Sequence, residues 1–248
     1  MKELGFGTER VEHELRTQFP TARIARMDSD TTAGKGGHAR ILERVARGEV
    51  DILVGTQMIA KGHDFPGVTL VGVLQGEGSL YLPDFRAAER TFQLLSQVIG
   101  RAGRGDLPGR VLVQTASPDH YALERAVAHD FEGFCAEELE FRRELGYPPF
   151  GFLAALQFSG TADSAVRDQI DQAARLLTRL KARLGLRVEI LGPAPAPLHR
   201  LRGRFRHQLL FKAADRAPLR RLLAAYRAER TTSATVREHL DIDPVDLL

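Results

Sequence analysis

The 248-residue sequence contains a single cysteine, Cys135. This excludes an internal disulfide and any cysteine-cluster metal site, and it fits a reducing, cytoplasmic setting. No run approaches the ~18 consecutive apolar residues of a membrane-spanning helix, and no signal-peptide pattern opens the chain. Internal repeats and low-complexity tracts are absent. So is a phosphate-cradling G-x-x-x-x-G-K-[ST] loop. AGKGG at 33–37 lacks both the earlier glycine and the hydroxyl residue that should follow the lysine. No acidic metal-binding motif follows an apolar strand. These residues alone therefore cannot assemble a complete nucleotide-hydrolysing site.

What is present begins with an ordinary apolar content of 43%, enough for a packed core. The length admits one or two domains. Net charge is only +3, but its distribution is uneven. From His199 to Arg230 there are ten basic side chains: Arg200, Arg202, Arg204, Arg206, Lys212, Arg216, Arg220, Arg221, Arg227 and Arg230. They face only Asp215 and Glu229. A surface of this kind favours phosphate polyanions. Arg202, Arg204 and Arg206 alternate, so an extended chain puts them on one side as a stripe for DNA phosphates. Phe205 then faces the domain core.

The apolar pattern predicts a helix over about 9–19 capped by Thr8, strands at 22–27, 51–55 and 69–74, a helix over 38–47, and a long helix over about 84–99. A strand at 111–115 and helical segments to about Leu145 follow. Strands alternating with helices predict a parallel sheet. The pattern changes at YPPFG (147–151). Beyond it, strand 152–159, helix 162–184, strands 187–191 and 205–212, helix 216–230 and strand 235–242 follow in βαββαβ order. The prolines of GPAPAPLHR (192–200) predict a stiff polyproline II link between the two middle strands. The expected fold class is thus α/β, a parallel-sheet domain over 1–146 followed by a smaller α+β domain over 147–248.

The chemistry concentrates in two blocks. QVIGRAGR (97–104) places Arg101 and Arg104 three residues apart, flanked by Gly100 and Gly103. Two guanidinium groups at that spacing can converge on one phosphate. GTQMIAKGHDFPGV (55–68) is a long polar loop after a buried-type strand. That is where ligands sit in parallel sheets. Other polar residues read as structural: His63 beside Asp64 as loop packing, Glu137, Glu138 and Glu140 as a solvated helix face, and Cys135 as core. His13, His38 and His129 are too dispersed to argue a metal site.

QVIGRAGR resembles the last helicase motif of superfamily 2, and GTQMIAKGHDFP the motif before it. YLPDFRAAERTFQLLSQVIGRAGR (81–104), LGPAPAPLHRLRGRFRHQLL (191–210) and LDIDPVDLL (240–248) narrow this to the C-terminal portion of the PriA-type (primosomal protein N-prime) replication restart DNA helicases. The resemblance implies that the first domain is the second RecA-like lobe, and that Arg101 and Arg104 act as catalytic arginine fingers on ATP. It implies ATP-binding or coupling roles for Gln97, Gly62, Asp64, Gly100 and Gly103, and DNA-facing roles for Thr56, Gln57 and Lys61. The family pattern carries an acid after the 69–74 strand; here QGEGSL (75–80) offers Glu77.

The resemblance further implies ATP and magnesium in the full-length protein. The first lobe and a zinc-binding cysteine insertion are expected outside this sequence, together with the first strand of the second lobe. No metal or cofactor is expected on this chain alone, and no ATP turnover. The implied partners are forked and single-stranded DNA, single-stranded DNA-binding protein and primosome or helicase-loading proteins. The alternative is a DNA- and partner-binding scaffold without ATP chemistry.

Overall fold

A computed structural model describes residues 7–28, 37–56, 59, 67–100 and 108–247. The chain divides into two compact units, Met1–Glu77 with Thr91–His129, and Gly78–Arg90 with Asp130–Leu248. The second unit therefore takes in residues on the N-terminal side of the expected boundary at 146/147.

In the first unit, helix α1 (Thr8–Gln18) precedes strand β1 (Ile24–Met27). Thr8 is not the cap expected of it. Gly7 occupies that position without a side-chain bond, and the Thr8 hydroxyl instead donates to Asp28 Oδ2 at 2.6 Å. Helix α2 (Gly37–Ala46) leads to strand β2 (Ile52–Gly55), which pairs with β1 in parallel, Ile24 opposite Ile52. Strand β3 (Leu70–Val73) and strand β4 (Arg110–Val113) form a second parallel pair, Leu70 opposite Arg110. Between them runs helix α3 (Ala87–Ile99), and helix α4 (Tyr121–Val127) follows β4. Asp84, expected inside α3, lies just before it. Its carbonyl accepts from the Ala87 N–H and its Oδ1 from the Arg86 N–H.

The second unit opens with Gly78–Arg90, tied in by specific contacts. Phe85 stacks on Tyr147 at 5.4 Å. Asp84 binds Arg90 at 3.0 Å and accepts from the Leu247 N–H at 3.2 Å. Helix α5 (Phe131–Leu145) starts at Asp130, whose Oδ1 caps the Gly133 N–H, and stops at Gly146, which takes the left-handed conformation at φ 64°. Glu138 of α5 corrects the solvated-face reading. It is buried and bound to Arg142 at 2.6 Å, and Arg142 also reaches Glu89 at 2.8 Å. A carboxylate needs such a partner once water is removed. Cys135 is half-buried rather than core.

The remainder is strand β5 (Phe152–Gly160), helix α6 (Asp163–Leu184), strand β6 (Glu189–Leu201), strand β7 (Arg204–Ala213), helix α7 (Arg216–Glu229) and strand β8 (Arg237–Ile242). The sheet order is β6-β7-β5-β8 and every pairing is antiparallel. This is the split βαβ arrangement that the element order predicts. Val166, Ile170, Ala173, Leu177 and Leu180 recur at helical spacing on α6. With Leu219, Leu222 and Tyr226 of α7, they cover Leu156, Phe158, Leu209 and Phe211 of the sheet. Each fully buried side chain of this size contributes about 1.5–3 kcal/mol.

The proline-rich link differs from expectation. It lies inside β6, which runs for 13 residues and shifts register between Leu191 and Ala194 and between Pro195 and Arg200. β6 is an edge strand, where prolines cost little because their missing N–H groups need not serve a second neighbour. Gly192, at φ 97°, makes the first irregularity possible. A Cβ there would also lie 2.9 Å from the Gln208 carbonyl oxygen.

Candidate functional site

In the first unit the informative edge is the carboxyl end of the parallel strands. Gly55 closes β2 opposite Met27. A Cβ at position 55 would sit 2.3 Å from the Met27 carbonyl oxygen, so only glycine lets the chain enter the following loop on this path. Thr56 follows, exposed, its carbonyl accepting from the Ile59 N–H at 3.0 Å. Gln57, Lys61, Gly62, Asp64, Arg101, Gly103 and Arg104 lie outside the described residues.

Gln97 and Gly100 are described, and both are exposed at the C-terminal end of α3. Thr91, Phe92 and Leu95 form its buried side. The Gly100 N–H continues the helical pattern to the Ser96 carbonyl at 3.1 Å.

Glu77 lies just past β3, beside the chain leaving β4. It is buried, and its Oε1 accepts from the Ala116 N–H at 3.2 Å. A hydrogen bond from the Thr115 side chain, with backbone N–H support, holds its carboxyl below the usual carboxylate range despite burial. An ionised carboxylate is thereby fixed at the edge where parallel sheets bind ligands.

In the second unit the basic hairpin between β6 and β7 departs from the expected stripe. Arg202 sits in the turn at φ 49°, next to Gly203 at φ 78°, and is exposed. Arg200 is exposed and stands over the Phe205 ring at 5.2 Å. Arg204 is half-buried, its Nη2 donating to the Ser159 carbonyl at 2.9 Å. Arg206 is only 8% exposed, and its Nε and Nη2 donate to Gln157 Oε1. The four arginines thus divide, two presented to solvent and two bound to β5. Phe205 is half-buried and lies outside the core cluster, against His199 at 5.5 Å.

Sequence reasoning missed one cluster. Asp163 Oδ1, His199 Nε2 and His207 Nε2 meet at one point, the carboxylate oxygen 2.8 Å from His207 and 3.1 Å from His199. The two histidines do stand eight residues apart in a β6–β7 hairpin, which was the available signal. Only the packing of α6 on the sheet adds Asp163.

Among the described residues no helix is long and apolar enough to cross a membrane.

Comparison with known proteins gives two successive matches along the chain. The family model "Helicase conserved C-terminal domain" matches residues 6–106. The family model "Primosomal protein N C-terminal domain" matches residues 143–245. The replication restart protein PriA of Bacillus subtilis is 46% identical over 231 residues, covering 91% of this chain and 28% of that protein. The PriA protein of Synechocystis is 42% identical over 247 residues, covering 100% and 29%. That of Haemophilus influenzae is 41% identical over 244 residues, covering 98% and 33%. The chain therefore spans about a third of the length of these relatives. Its two parts, a helicase C-terminal domain and then a primosomal protein N C-terminal domain, place it in the PriA replication restart protein family as a C-terminal portion.

Proposed function

We propose that this chain supplies the second motor lobe and the DNA-engaging C-terminal domain of a 3′-to-5′ DNA helicase that acts at stalled replication forks and helps reload the replisome. Arg101 and Arg104 serve as arginine fingers for an ATP site that a first lobe, elsewhere in a longer protein, completes. Gln97, Gly62, Asp64, Gly100 and Gly103 bind nucleotide or couple it to DNA, and Thr56, Gln57 and Lys61 face the DNA backbone. The domain boundary lies near residue 146. Forked and single-stranded DNA are the substrates, and single-stranded DNA-binding protein and primosome proteins the partners. The supporting observation is the exposed C-terminal end of α3. Gln97 and Gly100 are solvent-accessible there, and Arg101 and Arg104 come next in sequence.

The test is DNA-stimulated ATP hydrolysis. A longer protein carrying both lobes should lose roughly 10³–10⁵ in rate on Arg101→Ala or Arg104→Ala, with little change in DNA affinity. This chain by itself should show no turnover. An unchanged rate in the longer protein would overturn the finger assignment. No turnover even in the unsubstituted two-lobe protein would leave a DNA- and partner-binding scaffold in its place.

A further inference from the structure

Three side chains from three elements converge at the base of the β6–β7 hairpin. Asp163 begins α6, His199 lies on β6 and His207 on β7. Asp163 Oδ1 is 2.8 Å from His207 Nε2 and 3.1 Å from His199 Nε2, and the two nitrogens are 3.3 Å apart. The imidazole planes are perpendicular, with centroids 5.1 Å apart.

Hydrogen bonds satisfy this triangle in only one protonation pattern, and that pattern crowds it. An ionised carboxylate only accepts, and each neutral imidazole nitrogen either donates or accepts. If both Nε2 atoms carry hydrogen, both donate to Asp163 Oδ1, and the two N–H groups crowd each other with their nitrogens 3.3 Å apart. If only one does, the other nitrogen turns its lone pair on the carboxylate oxygen. Without hydrogen on either, all three edges are repulsive. A cation at the centre satisfies all three atoms at once.

The spacing suits one. With metal–ligand distances of about 2.0–2.2 Å, neighbouring ligand atoms lie about 3.3–3.6 Å apart in a tetrahedral site and about 2.8–3.1 Å apart in an octahedral one. The observed edges run from 2.8 to 3.3 Å. Two imidazoles and one carboxylate select a first-row transition ion or zinc, whereas calcium and magnesium prefer oxygen alone. The outer shell is present on one side. Arg167 binds Asp163 Oδ2 at 2.7 Å, which leaves Oδ1 turned toward the histidines. The His207 side chain is 6% exposed, while Asp163 and His199 are 25% and 38% exposed. That leaves the remaining coordination positions open to water or an anion.

We propose that Asp163, His199 and His207 form a site for a divalent ion of the zinc class, pinning the basic hairpin to the start of α6. This replaces the sequence-based expectation of a chain that holds no metal. The site owes nothing to cysteine, and it stands independently of the helicase reading. Bound there, the ion adds positive charge near Arg200 and Arg202 and fixes the hairpin that presents them.

The experiment uses this chain with Co²⁺ as a spectroscopic probe and Zn²⁺ as competitor. One equivalent of Co²⁺ should produce visible d–d absorption that Zn²⁺ abolishes, and excess Zn²⁺ should raise the melting temperature. His199→Gln and Asp163→Asn should each weaken binding by more than the roughly 10–100-fold typical of losing an outer-shell partner. His199 is the most exposed of the three, so its variant should keep the fold, checked by circular dichroism. It decides the matter if the others do not fold. Absence of stoichiometric binding overturns the proposal, as does a His199→Gln chain that binds as tightly as the parent.

Discussion

Arg206 donates to Gln157 Oε1 through both Nε and Nη2, at 3.2 and 3.1 Å, joining β7 to β5 across the face of the sheet away from the helices. Four residues earlier, in the hairpin turn, Arg202 is exposed. Identical residues in one basic run therefore face different physics. A buried guanidinium must keep its partners, whereas an exposed one is free to meet a phosphate.

Arg206→Ala should accordingly lower stability by about 1–3 kcal/mol, because the half-buried Gln157 loses both its donors. Arg202→Ala should leave the melting temperature unchanged. It should weaken DNA binding and make the salt dependence shallower by about one phosphate contact. Thermal melts and DNA titrations at two salt concentrations separate the two. Loss of DNA affinity from Arg206→Ala without loss of stability would restore the continuous stripe.

Glu77 and Thr115 make a pH prediction. The Glu77 carboxyl is held below its ordinary value of 4.5 in the folded chain, chiefly by Thr115. Its stabilising contribution is thus complete above about pH 4.5 and is lost as pH falls through the folded-state value. Thr115→Val should raise the Glu77 pKa and destabilise the chain at pH 7. The gap from the parent should narrow toward pH 3. Urea unfolding at the two pH values measures it, and a gap that stays constant would show that Thr115 acts independently of the charge.

Gly55→Ala tests the exit of β2. The added methyl would overlap the Met27 carbonyl oxygen, a backbone atom that cannot rotate away. The expected cost is about 1–3 kcal/mol of overpacking. Gly48→Ala is the control for a glycine at positive φ, 67°, with open space around its Cβ position, and should cost about 1 kcal/mol. Equal melting temperatures for the Gly55→Ala chain and the parent would show that β1 and β2 shift apart at no cost.

The sequence by itself determined the elements whose burial is periodic. Val166, Ile170, Ala173, Leu177 and Leu180 mark one face of α6, and alternate residues of β5 and β7 are core. Period 3.6 and period 2 are local properties of the chain, so the βαββαβ order could be read without coordinates. The helicase-like blocks were equally legible, because backbone turns and paired guanidinium groups occupy consecutive positions.

Tertiary structure decided what depends on a neighbour. Local conformation makes PAPAP look like a free polyproline segment, but an edge place beside β7 lets it serve as strand. Glu138 looks solvated from its charged neighbours and is buried because Arg142 lies one turn on, already shared with Glu89. Asp163 is separated from His199 by 36 residues and from His207 by 44. No periodicity links such positions. Their meeting follows from packing α6 across a sheet in which β7 is inserted between β5 and β6, a non-local arrangement set by the burial of the whole apolar face.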